Sequence, residues 1–419
     1  MLDPTGRQRS EEEPAHVDTN HHDVVVVGAG PIGAATGRHL AEQGVDVAIV
    51  GPEEPATPEG HEGTWAGYYD EGRLCHVLEV PLMTSMLTMR SIRRFDALHA
   101  RTGIDFTMPT HSVTVMPENL GAGSASTWFD RDLLAANARD LGVMVHELDE
   151  EGLEAHYPDL RFEPGHVALV QPDAYILNPR ALVRAELAAA RLDGAHLFRD
   201  EIVSMRRADD GVRLTGRAGN TWTADQVVLA TGAATTMTGL LPRPLALSAF
   251  GATVVLAEVE DPGSLNMPTM MLLKYRDGER LFGGIVMAPR PYPDGRWYLK
   301  LSGSSLLDTP LETAAQTAEW VRSGGNRADI AEAADVLRDL LPHREFTTFR
   351  TRPCLVAATP CDRPYIDRVD EHTVVAVEAE RGAMSADEIG RLAAMLVRGP
   401  WSDSIPHEVF RAEWADASA

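Results

Sequence analysis

Six residues, Gly28-Ala-Gly-Pro-Ile-Gly33, constrain this chain more than any other stretch. They follow residues 24–27, four valines in a row, which read as a buried parallel strand. An amphipathic segment runs on to about Gln43, where Gly44 stops it, and residues 45–50 read as a second strand. In this strand–turn–helix–strand setting each glycine has a task. Gly28 permits the tight turn, Gly30 lets a pyrophosphate approach the backbone, and Gly33 packs helix against strand. Pro31 and Ile32 open the helix, whose free N–H groups and partial positive charge face the phosphates. The acidic residue that usually ends the second strand and binds the ribose is missing. Gly51 stands in its place, with Glu53 and Glu54 just after it. Either one of these reaches the ribose, Glu53 being the first candidate, or the contact is lost.

The chain has 419 residues, too many for one ordinary core, so two intimate domains are expected. A net charge of −24 argues against nucleic acid or an anionic membrane surface as partner. No apolar run approaches transmembrane length. Residues 1–22 are polar and acidic without an apolar signal core, and read as a disordered tail. Three cysteines, with no C-x-x-C, form no disulfide framework, which points to a cytoplasmic protein with reduced thiols. No metal constellation is expected: His21-His22 falls in the tail, and His156 and His166 lack neighbours at ligand spacing.

Along the chain, an aromatic and charged loop, Thr64-Trp-Ala-Gly-Tyr-Tyr-Asp-Glu-Gly-Arg-Leu-Cys-His76, adjoins the nucleotide fingerprint. Helices are expected at 83–100, 130–142, 148–157 and from Pro179, with Asn178 as cap, to near Gly194. Residues 201–206 and 211–216 suggest a hairpin. Residues 226–233 read as a strand ending in Ala230-Thr231-Gly232, where small side chains let a cofactor come close. Alternation at 249–259, 268–276, 280–288 and 296–303 is the grammar of an antiparallel sheet. Along the last, Tyr298, Lys300 and Ser302 share one face. Helices follow at 311–322 and 328–340, then a strand at 372–377 and a helix from about Ala386, with Ser385 and Glu388 fitting a capping box. Residues 403–419 read as a surface tail.

This order of motifs resembles the D-amino-acid-oxidase superfamily, and within it the monomeric sarcosine oxidase and N-methyltryptophan oxidase branch. The resemblance covers roughly residues 23–400 and rests on G-A-G-P-I-G at 28–33, D-E-G-R at 70–73, L-N-P at 177–179, A-T-G at 230–232, L-K-L at 299–301 and C-x4-T-P-x5-I-D from Cys354 to Asp367. It implies an α/β fold: an FAD-binding, Rossmann-like domain over 23–240, joined by 346–402, and a second, mainly antiparallel substrate domain over 241–345, to which 80–125 and 145–175 contribute. It implies tightly bound FAD and oxidation of a C–N bond in a small amine or amino acid, with an imine and hydrogen peroxide as products and molecular oxygen as acceptor.

The resemblance also implies residue roles. Cys354 falls where the branch links a cysteine to the flavin through a thioether, and Arg350 and Arg352 stand close in sequence to favour the thiolate. Lys300 falls on the lysine above the flavin ring, where an ammonium stabilises superoxide as it develops. Arg73 falls on the arginine near the flavin. His76 stands where a second basic residue usually holds the substrate carboxylate. Val203, Gly382 and Met384 fall among the positions that line the cofactor, and the helix opened by Ser385 is the one the family aims at the flavin pyrimidine. The family's glycine-rich run with a substrate-binding lysine is replaced by Glu378-Ala-Glu-Arg-Gly-Ala-Met-Ser385, and Val356 replaces an aromatic. The usual carboxylate clamp is therefore missing, which points to a tailoring step on a specialised amine or imino acid. Three other readings compete: a flavin dehydrogenase with a non-oxygen acceptor, a nicotinamide enzyme, and a non-catalytic flavoprotein subunit.

Overall fold

The computed structural model of the chain describes residues 20–55, 57, 63–120, 128–208 and 211–415. Two sheets organise them. The first has eight strands. Its spine runs in space as Tyr365–Arg368, Thr373–Val377, Thr221–Leu229, His21–Val27, Val47–Gly51 and His196–Arg199. All but the first of these are mutually parallel. The four valines lie at its centre. Val24 and Val26 face one apolar layer, Val25 and Val27 the other, so the run needs no polar alternation. The expected hairpin is present as Ile202–Ala208 and Gly211–Gly216, and pairs with the edge of Thr221–Leu229.

Helix Pro31–Ala41 starts with Pro31 in its first turn after Gly30. Buried charges tie it to its neighbours. Arg38 pairs with Glu186 of helix Pro179–Leu192 and lies 2.6 Å from Asp387 of helix Gly382–Arg398. Arg94, from helix Leu82–Thr102, reaches Asp387 at 2.5 Å and Glu388 at 2.6 Å. This network corrects one expectation. The C-terminal helix begins at Gly382, four residues before Ala386, and Ser385 does not cap it. The Ser385 hydroxyl donates to the Arg381 carbonyl at 3.0 Å, and Glu388 is committed to arginines.

The second sheet has ten strands. Its path is Thr309–Leu311, Ser248–Val259, Trp297–Ser302, Glu279–Pro291, Thr269–Arg276, Thr107–Pro117, His166–Leu177 and Arg73–Cys75. Phe349–Ala358 pairs along Ser248–Val259, and His146–Leu148 pairs with His166–Leu177. Strand Arg73–Cys75 thus leaves the nucleotide side of the chain and ends in the second sheet. Helix Ala314–Ser323 starts three residues later than the expected 311, because Thr313 and Gln316 cap it reciprocally and residues 309–311 pair as a strand.

Both chain ends depart from the tail reading where they are described. Residues 21 and 22 belong to the central strand, and His22 is buried; residues 1–19 lie outside the described part. Near the other end Phe410 is fully buried and Leu245 bridges to Trp414, so residues 403–415 pack on the body, while 416–419 lie outside the description. No helix among the described residues is long and apolar enough to cross a membrane.

Candidate active site

One cavity runs from the carboxyl ends of the first sheet's strands onto the face of the second sheet. The glycine turn forms its first end. Gly28 has φ +109°, and a Cβ there would lie 2.3 Å from the Ala230 carbonyl oxygen. Gly30, Pro31 and Ile32 line the cavity; Gly33 does not, because it is pressed against Gly28, where a Cβ would come within 1.9 Å of the carbonyl oxygen. Ala230, Thr231 and Gly232 form the opposing lip, with Gly232 at φ +53°. Gly382 and Met384 line the cavity at the C-terminal helix start. A turn of glycine backbone at a helix N-terminus and beyond the strand ends fits a dinucleotide cofactor.

The missing ribose acid has a steric reason. A Cβ at Gly51 would stand 2.5 Å from the Ala29 backbone nitrogen, so the turn excludes any side chain there. Glu53 is exposed and outside the cavity, which corrects its candidacy, and Glu54 is engaged by Arg180 at 2.7 Å. Asp200 and Glu201 line this end instead. Val203 is 43% exposed and also outside; its neighbour Ile202 faces in, the one-residue error that strand alternation punishes.

The second end gathers the charged groups. Lys300 is buried on strand Trp297–Ser302, with Nζ 2.6 Å from Asp70 Oδ2 and 2.5 Å from the Gly72 carbonyl oxygen. Arg73 donates to the same Asp70 carboxylate, to the Gly67 carbonyl at 2.7 Å and to Cys354 Sγ at 3.3 Å. Tyr292 donates to Asp70 Oδ1 at 2.9 Å. Burial pushes the Asp70 carboxyl up, but Lys300 and Arg73 outweigh it and hold the group well below its usual range. Burial and the neighbouring Arg73 bring Lys300 down to about 8, against the pull of Asp70. The guanidinium on Cys354 is therefore Arg73. Arg350 turns away to Asp294 at 3.1 Å, and Arg352 lies over the Tyr292 ring. Register brings the pieces together: Ala252 opposes Cys354 and Leu256 opposes Lys300 on the strand between them.

His76 is buried with both ring nitrogens engaged, Nδ1 at 2.8 Å from Ser112 Oγ and Nε2 at 3.0 Å from Glu79 Oε1. Glu79 also meets Arg381 Nε at 2.5 Å, and Arg381 Nη1 lies 2.7 Å from Glu380. Trp128 donates its indole N–H to Glu380 at 3.1 Å and stacks under Arg381. All of these except Ser112 line the cavity, as does Glu378, whose carboxyl burial pushes up. Sequence reasoning singled out none of Asp70, Glu79, Trp128, Glu380 or Arg381. Asp70 was readable as the first residue of D-E-G-R, and Glu380 and Arg381 lie in the stretch that replaces the family's lysine; Glu79 and Trp128 carry no local signal, since they meet Arg381 and Glu380 from about 250 to 300 positions away.

Elsewhere, His22, Asp46 and His196 bring possible ligand atoms within 4.8 Å of one another, because strands Val47–Gly51 and His196–Arg199 pair beside the central strand. The absence of any such group was expected from the placing of His22 in a tail, and that placing is what fails.

Comparison with known proteins follows the same lines. The profile of the FAD dependent oxidoreductase (DAO) family matches residues 23–396. N-methyl-L-tryptophan oxidase of Escherichia coli strain K12 is 24% identical over 227 residues, which is 53% of this chain and 56% of the relative. The alignment thus spans little more than half of the curated relative. Among solved structures, NikD, described as an unusual amino acid oxidase essential for nikkomycin biosynthesis, superposes with a TM-score of 0.74 at 20% identity, over 96% of this chain and 100% of that one. L-proline dehydrogenase from P. horikoshii gives 0.70 at 16% identity, over 94% and 97%. At these identities the structures speak for the fold.

Proposed function

The chain belongs to the FAD dependent oxidoreductase family, and we propose that it oxidises the C–N bond of a small amine or amino acid to an imine, with oxygen as acceptor and hydrogen peroxide as product. Two electrons and two protons leave the substrate and reduce one molecule of oxygen. Bound FAD would supply the two-electron relay, held by the Gly28–Gly33 turn, the Ala230–Gly232 lip and the start of helix Gly382–Arg398. The observation that carries this reading is the meeting of Cys354 Sγ, Arg73 and Lys300 on one stretch of cavity wall.

Each residue has a task there. Arg73 donates to Cys354 Sγ at 3.3 Å and holds that sulfur on the cavity wall, where it would be the cofactor's covalent anchor. Lys300 presents a fixed ammonium in a water-poor site, where it stabilises negative charge developing on oxygen. Asp70 holds both cations in place. The amine must be neutral to react, so substrate oxidation rises with pH through the amine's pKa in the complex. The unpaired cysteines, Cys75, Cys354 and Cys361, agree with a cytoplasmic setting, and the replaced carboxylate clamp with a tailoring role in biosynthesis.

A dehydrogenase reading keeps one observation in its favour: Asp70 sits on the Lys300 ammonium and offsets its charge. The test is a two-step one. Anaerobic mixing with an amine panel should bleach the yellow protein, and readmitted oxygen should restore the colour with one peroxide per imine. Bleaching that oxygen does not reverse would favour the dehydrogenase; an unbleached protein would remove the amine-oxidising proposal.

A further inference from the structure

The charged cluster around Arg381 bears on which amines enter. Its guanidinium meets two carboxylates, Glu79 at 2.5 Å and Glu380 at 2.7 Å. His76 adds no free donor, since Ser112 and Glu79 take both its nitrogens. Glu378, on the same cavity wall, has no side-chain partner among the described residues. A carboxylate arriving here meets two carboxylates that already share one guanidinium. To reach Arg381 in two-pronged fashion it must displace Glu79 or Glu380 and strip a largely buried carboxylate of its guanidinium, leaving it only His76 or Trp128, which is costly. An uncharged acceptor has an easier path. Arg381 Nη2 has no partner among the described residues, and the side chain is 18% exposed. It can donate one hydrogen bond to a carbonyl without breaking either ion pair.

We propose that the substrate is an amine whose substituent beside the reacting carbon is an uncharged hydrogen-bond acceptor, a carboxamide or ester, and that Glu79, Glu380 and Arg381 select it against the free carboxylate. This rests on the reading that an amine reacts in this cavity, and it narrows the class of that amine. Glu380 is a specificity residue on the cavity wall; Glu79 positions Arg381 and His76.

The test uses the oxidised holoprotein and two ligands that it does not turn over, indole-3-acetamide and indole-3-acetate, titrated at neutral pH against the visible flavin band. The amide should bind at least about tenfold more tightly than the acid, the factor that like-charge rejection of little more than 1 kcal/mol gives. Glu380→Gln should bring the two within about threefold, by strengthening the acid. Equal or tighter binding of the acid by the unaltered protein overturns the proposal without need of a variant. So does a ratio that Glu380→Gln leaves unchanged, or a flavin band that neither ligand moves. Because no turnover is read, the two proposals fail separately. A protein that prefers the amide but is reduced by no amine loses the oxidase function and keeps the selectivity; one that oxidises free amino acids and prefers the acid does the reverse.

Discussion

The two ends of the cavity are built on opposite plans. At the nucleotide end the turn is bare backbone: Gly28, Gly30 and Gly51 present no side chains, and the turn tolerates none at Gly28 or Gly51. At the other end the wall is charge: Lys300, Arg73, Asp70, Glu79, Glu380 and Arg381, each held by a partner. The first plan fixes a common cofactor by shape. The second can change its ligand by exchanging a few side chains while the backbone stays. A chain can therefore keep the family's cofactor and depart from its substrates.

Breaking the first end should have the largest effect. Gly28→Val places a branched side chain at φ +109° and against the Ala230 carbonyl. The purified variant should carry no flavin, read from the ratio of visible to ultraviolet absorbance. Retention of full flavin would show that the turn is not the cradle.

At the charged end, Asp70→Asn leaves Lys300 and Arg73 without their shared anion. Breaking a buried pair of this kind costs roughly 3–5 kcal/mol, so the denaturation midpoint should fall sharply while the fold, if recovered, still binds flavin. Lys300→Met should slow reoxidation by oxygen by about two orders of magnitude, the size of effect that loss of one charge-stabilising donor produces, and leave anaerobic reduction by substrate within about tenfold. Stopped-flow measurement of the two half-reactions separates these. A loss confined to substrate reduction would make Lys300 a substrate contact.

The smallest effect sharpens the contrast by pH. With Lys300 brought to about 8 by burial, its ammonium is present below that pH and lost above it. Reoxidation by oxygen should therefore decline as pH rises through about 8, while substrate oxidation rises with pH through the amine's own pKa in the complex. Parallel profiles for the two steps would contradict the roles assigned here.

The same contrast explains what could be read in the sequence. The nucleotide end is local: strand, turn and helix follow within 30 residues, and spacing alone identifies Gly28, Gly30 and Gly33. Cys354 and Lys300, each set within a motif, both line the cavity. The long strands Thr107–Pro117 and His166–Leu177 were not named as strands, because prolines interrupt their patterns. Pro172 falls at the register shift where Thr110 pairs with Ala174 and Ser112 with Gln171, an irregularity that a strand tolerates but a pattern search does not. Ser385 and Glu388 misled because a capping-box spacing arose inside a helix, where its acid serves a buried ion network. Phe410 was lost in a short polar segment, although an aromatic there is the kind of anchor that docks a chain end. The Glu79–Arg381 pair joins positions about 300 residues apart, and no local rule reaches that far.

The most direct test of the account is whether Cys354 carries the cofactor. Acid precipitation of the purified protein should leave the yellow colour in the pellet, and Cys354→Ser should release it to the supernatant. Colour released from the unaltered protein would reduce Cys354 to a packing residue beside Arg73 and contradict the shared role given to that wall of the cavity.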